Sequence, residues 1–178
     1  MTKLLARART NERGYTMIEL LMVMIIMTTV VTSLTALFVS GSRASVELNQ
    51  RFEAQQAARV AADKIRREGH CSSGVTFTSA ASITMVLPGH CPTAVGGVPT
   101  SVVYATELVS TGRYRLKRGT AIVADHLTSG DVFAYTVPSD VSLGKLSLDF
   151  PVNVMPTQSW KTWRLRTDVV LRNTVRNP

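Results

Sequence analysis

Hydrophobic and polar positions divide this chain into three patterns. From Tyr15 to Val39, 25 residues hold one charge, Glu19. An apolar run of that length has no polar stripe to turn toward water, and it suffices to cross roughly 30 Å of hydrocarbon. From Ser42 to Glu68 the pattern becomes amphipathic: proline is absent and Ala, Glu, Gln, Arg and Leu dominate, all good helix formers. Ala54, Ala58, Ala61 and Ile65 recur at helical spacing and share one face, with Leu48 and Phe52 about a quarter-turn round. This predicts one long helix, about 80 Å from Tyr15 to Glu68 at 1.5 Å per residue, whose alanine face lies on a sheet and which ends at Gly69. Surface pairs at i, i+4 are expected for Glu47 with Arg51, Arg59 with Asp63, Asp63 with Arg67, and Lys64 with Glu68.

Beyond Gly69 the period shortens to two. Val75–Thr78 and Ile83–Leu87 read as strands, and Pro92–Thr100 as a loop. Val102–Leu108 and Arg113–Arg118 read as a hairpin turning through Ser110, Thr111 and Gly112. Residues 121–130 are ambiguous between a helical turn and a loop. Phe133, Tyr135 and Val137 alternate in a strand stopped by Pro138; Leu146, Leu148 and Phe150 alternate in another, opposite Lys145, Ser147 and Asp149. Trp163, Leu165, Val169 and Leu171 mark a long last strand, with Arg164, Arg166 and Arg172 outward. The expected class is α+β, one long helix packed on a mainly antiparallel sheet. Its parts are a basic leader (1–14), a transmembrane half-helix (15–40), an amphipathic half-helix (41–69) and an exported β-rich head (70–178).

Charge adds topology. The chain has 20 Lys+Arg against 12 Asp+Glu, a net charge of +8. Part of this excess sits in the leader, where Lys3, Arg7, Arg9 and Arg13 stand against Glu12. Basic residues before an apolar segment hold that end in the cytoplasm, so the head is predicted to be extracytoplasmic.

Glu19 is the informative chemistry. A carboxylate in a membrane segment costs about 2.5 to 3.5 kcal/mol on insertion scales and implies a positive partner. Cleavage after Gly14 would create one: Tyr15 would carry a free α-amino group four positions before Glu19. Many copies side by side could then pair the amine of one with the carboxylate of the next, setting axial register.

Arg13-Gly14 followed by Tyr15-Thr16-Met17-Ile18-Glu19-Leu20-Leu21-Met22-Val23 resembles the processing site and N-terminal helix of type IV prepilins and type II secretion pseudopilins. The resemblance implies a prepilin peptidase that cuts after Gly14 and methylates Tyr15, with Glu19 as the assembly glutamate. It further implies partnership with other pilins, an inner-membrane assembly platform and membrane lipid, and a final place in an extracellular filament. Tyr15 replaces the commoner phenylalanine and keeps an aromatic ring. No proline occurs between Met1 and Leu87, so the mid-segment proline of many major pilins is absent and the helix should be straighter. Tyr114-Arg115-Leu116, Phe133-Ala134-Tyr135 and Val169-Val170-Leu171-Arg172-Asn173 loosely resemble J-type minor pseudopilins and minor pilins, which turns the expectation toward a filament tip. The competing reading is a signal peptide or anchor with a cut near Ser40-Gly41-Ser42. A secretory signal has a shorter core of about 7 to 15 residues and no reason to hold a glutamate.

Two cysteines in an exported domain lean toward a disulfide. Cys71 and Cys91 would close a loop of about 20 residues and stabilise the fold by about 3 kcal/mol. The alternative is zinc held by His70-Cys71 and His90-Cys91, although zinc sites space paired ligands two to four residues apart. The sequence points to neither a metal nor a cofactor. The head offers no nucleophile elbow, no His-Glu-x-x-His and no phosphate loop; Asp125-His126 reads as a weak pair with a solvated loop histidine. An enzyme on a signal anchor is the distant alternative. DNA is a further candidate partner. Arg113, Arg115, Lys117 and Arg118 lie along one strand, and Arg164, Arg166, Arg172 and Arg176 along the last; as neighbours the two could follow a phosphate backbone, as in a DNA-uptake pilin. Against this, no aromatic shares the basic face of Arg113–Arg118, and a solvated outer face explains the same charges.

Overall fold

A computed structural model describes residues 14–91, 93–94, 97–139 and 142–172. The predicted leader up to Arg13, and Asn173 and Arg176, lie outside the described residues. The chain divides into two compact units at Val46 and Glu47.

Helix α1 runs from Met17 to Cys71 without interruption. From Gly14 to Val46 every residue is exposed. The second part of α1 buries Ala54, Ala58, Ala61, Ala62, Ile65, Glu68 and Gly69, so the predicted alanine face is the one that packs, while Leu48 and Phe52 are exposed. Small side chains on that face let backbone and sheet approach closely. Gly69 does not end the helix. It is buried inside it, and a Cβ there would lie 2.9 Å from Val169 Cγ1; the glycine is required by close packing rather than by a cap. Glu47 pairs with Arg51, and Asp63 with Arg67 (2.7 Å) and Arg66 (2.6 Å). Two predicted pairs are replaced. The Arg59 guanidinium lies over the Trp163 ring at 5.4 Å, and Glu68 turns inward, away from Lys64.

Among the described residues eight strands follow: β1 (Gly74–Ser79), β2 (Ser82–Leu87), β3 (Thr100–Ser110), β4 (Arg113–Arg118), β5 (Ala121–Leu127), β6 (Phe133–Thr136), β7 (Gly144–Val152) and β8 (Trp163–Leu171). All pairings are antiparallel, in the order β1-β2-β3-β4-β5-β7-β6, with β8 on β7. This is the expected α+β class, a long helix followed by an antiparallel sheet. The ambiguous stretch at 121–130 is largely strand: residues 121–127 form β5, against the turn or loop expected there. Its alternation is broken by register shifts against β4 and by His126 at φ 60°, which hides period two from a reading of side chains alone.

The core is built from the inward residues of these strands, among them Ile83, Met85, Tyr104, Leu116, Leu127, Leu146, Phe150, Val169 and Leu171, together with Ile65 of α1. Asn153, buried after β7, donates to the Gln158 carbonyl (2.8 Å) and to Thr162 Oγ1 (3.2 Å), and accepts from Met155 N–H (2.8 Å). It organises the turn leading to β8.

Candidate functional site

The N-terminal segment is built from Thr16 outward. The Thr16 carbonyl accepts from Glu19 N–H (3.1 Å) and Leu20 N–H (3.2 Å), and its hydroxyl lies 3.4 Å from Glu19 N. Thr16 thus caps the helix, satisfying donors that have no intrahelical partner. Thr-x-x-Glu is also the spacing of a capping box, and Glu19 sits in the first turn, where the helix dipole favours negative charge. The Thr16–Glu19 spacing is the signal in the sequence for this cap, one that apolar periodicity does not carry. Gly14 and Tyr15 precede the helix in irregular backbone, both exposed, with no neighbouring atom within 4 Å of a Cβ built on Gly14. The peptide bond between them stands free of the helix ladder.

The following run is long and apolar enough to cross a membrane by length and composition. The hydroxyls of Thr28, Thr29, Thr32 and Thr35 are satisfied within the helix: Thr28 donates to the Ile25 carbonyl (2.9 Å), Thr29 to Ile26 (2.8 Å), Thr32 to Thr28 (2.6 Å) and Thr35 to Val31 (2.8 Å). Internal satisfaction of this kind is what hydrocarbon demands of polar groups. Among the described residues the Glu19 carboxylate has no hydrogen-bond or ion-pair partner within the helix, so it is left to find one outside.

In the head, Cys71 and Cys91 are joined by a disulfide with Cα atoms 5.8 Å apart. Both thiols are used, which deprives the zinc alternative of half its ligands. It ties the end of α1 to the segment after β2.

The two basic strands are not neighbours: β5 and β7 lie between β4 and β8. Their cations face carboxylates instead. Arg113 binds Asp125 through two bonds (2.7 and 3.1 Å). Arg115 (3.0 Å) and Lys117 (2.7 Å) share Glu107, and Arg164 (3.3 Å) and Arg166 (3.1 Å) share Asp149. The Lys117 hydrogen bond holds the Glu107 carboxyl below its usual range. Burial works to raise Asp125, but the bonds from Arg113 and the His126 N–H outweigh it and hold that carboxyl low. Arg118 faces the interior, toward Glu68. The geometric condition for one continuous phosphate-following stripe is therefore not met.

His126 is half-buried in β5 and not in a solvated loop. Burial, then the adjacent Arg113 charge, lowers its pKa, with Asp125 acting in the opposite direction.

A pilin-like α+β architecture and an exposed apolar N-terminal helix are thus in place. Residues 9–35 match the family described as Prokaryotic N-terminal methylation motif, the signature of type IV prepilins and pseudopilins. The motif supports a type IV pilin or pseudopilin and implies processing by prepilin peptidase and assembly with other pilins. The apolar helix fits a single-pass inner-membrane anchor. No curated protein and no solved structure matches the chain.

Proposed function

We propose that this chain is a minor subunit of a type IV pilus-like filament, with a structural rather than enzymatic role at the tip or in initiation. Prepilin peptidase removes residues 1–14 and methylates Tyr15. The leader end lies in the cytoplasm and the head outside it, so that assembly carries the head into an extracellular filament. The Glu19 carboxylate pairs with the Tyr15 ammonium of a neighbouring subunit. The observation that carries this reading is the lone carboxylate Glu19 at the start of a helical stretch that is exposed and otherwise uncharged as far as Ser42, five positions after Gly14, inside the matched motif. Such a charge is costly in hydrocarbon unless it is paired.

The test is mass spectrometry of sheared filaments and membranes. The expected peptide begins at methylated Tyr15, at a small fraction of the dominant pilin, and Glu19→Ala is retained in the membrane while lost from filaments. A chain that begins at Met1 or after Gly41 in both fractions would overturn the proposal. Normal incorporation of Glu19→Ala would remove the pairing mechanism.

A further inference from the structure

Three strands have one ladder partner among the described residues: β1 on β2, β6 on β7, and β8 on β7. An open edge presents unpaired backbone donors and acceptors that template another strand, and proteins ordinarily guard it with charge, proline or shortness. The β8 edge carries Arg164, Arg166 and Asp168, and β6 has four residues and is followed closely by Pro138. Strand β1, Gly-Val-Thr-Phe-Thr-Ser, has no charge and no proline, and Thr76 to Ser79 are exposed.

This gap in protection extends well beyond β1. Between Glu68 and Glu107 the chain contains no Asp, Glu, Lys or Arg, although its net charge is +8. All of β1 and β2 and β3 as far as Thr106 fall in this interval. The edge is also self-complementary. The ladder places Val75 opposite Met85 and Phe77 opposite Ile83, both core residues, while Thr76 lies opposite Thr84 on the other face. Two copies of β1 paired antiparallel about Thr76 would set Thr76 against Thr76, and Val75 against Phe77 of the other copy. Threonine pairs and aromatic with β-branched pairs are among the favourable cross-strand combinations. A two-fold pairing of this kind uses the same patch twice and closes on itself.

We infer that β1 is a strand-addition edge and that its occupant is β1 of a second copy of this chain, joined by backbone hydrogen bonds in antiparallel register about Thr76. The inference does not depend on membership of a filament. It extends the sheet through an edge that like charges do not oppose.

The experiment uses the full chain in detergent micelles and follows both self-association and amide hydrogen exchange against protein concentration. Wild type is expected to associate reversibly, with the amides of residues 74–78 gaining protection as it does. Thr76→Lys and Thr76→Glu place like charges across the two-fold, and each should weaken association about tenfold or more. An equimolar mixture of the two variants should restore it, which a misfolded head or association through the apolar helix would not produce. Exchange of residues 74–78 that is independent of concentration in wild type overturns the inference whatever the variants do. So does a mixture that associates no more tightly than either variant alone.

Discussion

The Arg118 guanidinium on β4 donates through Nε to both carboxylate oxygens of Glu68 on α1, at 3.0 and 3.2 Å. Fifty positions separate the two in sequence. Tyr104 of β3 completes the arrangement, its hydroxyl donating to Glu68 Oε2 at 2.8 Å. The Glu68 side chain is fully buried, whereas that of Arg118 retains 21% exposure. A carboxylate in the last turn of a helix lies at the end its dipole disfavours, so the interaction with Arg118 and Tyr104 is what makes it tolerable there. Burial works against the Arg118 charge, but Glu68 more than compensates and raises its pKa.

Removing one partner should therefore cost more than the pair contributes. Arg118→Ala leaves a buried carboxylate without its cation and is expected to destabilise the head by about 3 kcal/mol. Tyr104→Phe removes one bond to a charged acceptor and should cost about 1.5 kcal/mol. Thermal unfolding of the two variants would check the order; equal effects would mean that the ion pair adds nothing beyond the tyrosine bond.

Gly69 predicts a violation of helix propensity. Alanine is normally favoured over glycine inside a helix by about 1 kcal/mol, but the new Cβ would meet Val169 Cγ1 at 2.9 Å and Leu171 Cδ2 at 3.5 Å. Overpacking of this kind costs about 1 to 3 kcal/mol, so Gly69→Ala should be destabilising. Adding Val169→Ala to it should cost less than Val169→Ala costs in the wild-type background, a coupling that denaturant titration of the four proteins would measure.

His126 sets a pH dependence. Its folded pKa is lowered from 6.5, by burial first and then by Arg113, so as pH falls the unfolded chain takes up the proton first. Its stabilising contribution is present above about pH 6.5 and is lost as pH falls below that value. Glu47 and Glu107, both held below 4.5, act only in a lower window. Melting temperature should drop less between pH 7.5 and 5.5 in His126→Asn than in wild type. Asparagine accepts the positive φ of 60° more readily than most residues.

Reduction of the Cys71–Cys91 disulfide should lower stability by about 3 kcal/mol, as expected for a loop of this length. Comparing thermal unfolding with and without reductant gives the value directly. An unchanged melting temperature would show that packing of α1 against the sheet already holds the ends of the 20-residue separation together.

The long helix, its alanine face, the motif around Gly14, Tyr15 and Glu19, and seven of the strands in outline are legible in the order of residues. These features are local: apolar length, a 3.6 period and a period of two are set by which side chains must leave water, and neighbours in sequence report them. What distant positions do to one another emerges only in the packed fold. Glu68 looks like the partner of Lys64 on a solvated helix and becomes the buried partner of Arg118. Gly69 looks like a helix terminator and is a contact point for Val169. Arg113, Arg115 and Lys117 read as a basic stripe, yet cross-strand register sets Glu107 and Asp125 against them. Strand β5 was hidden because its shifts in register answer to β4. Charge pairing, close packing and strand order depend on which elements become neighbours, and that is settled only when the sheet closes over the helix.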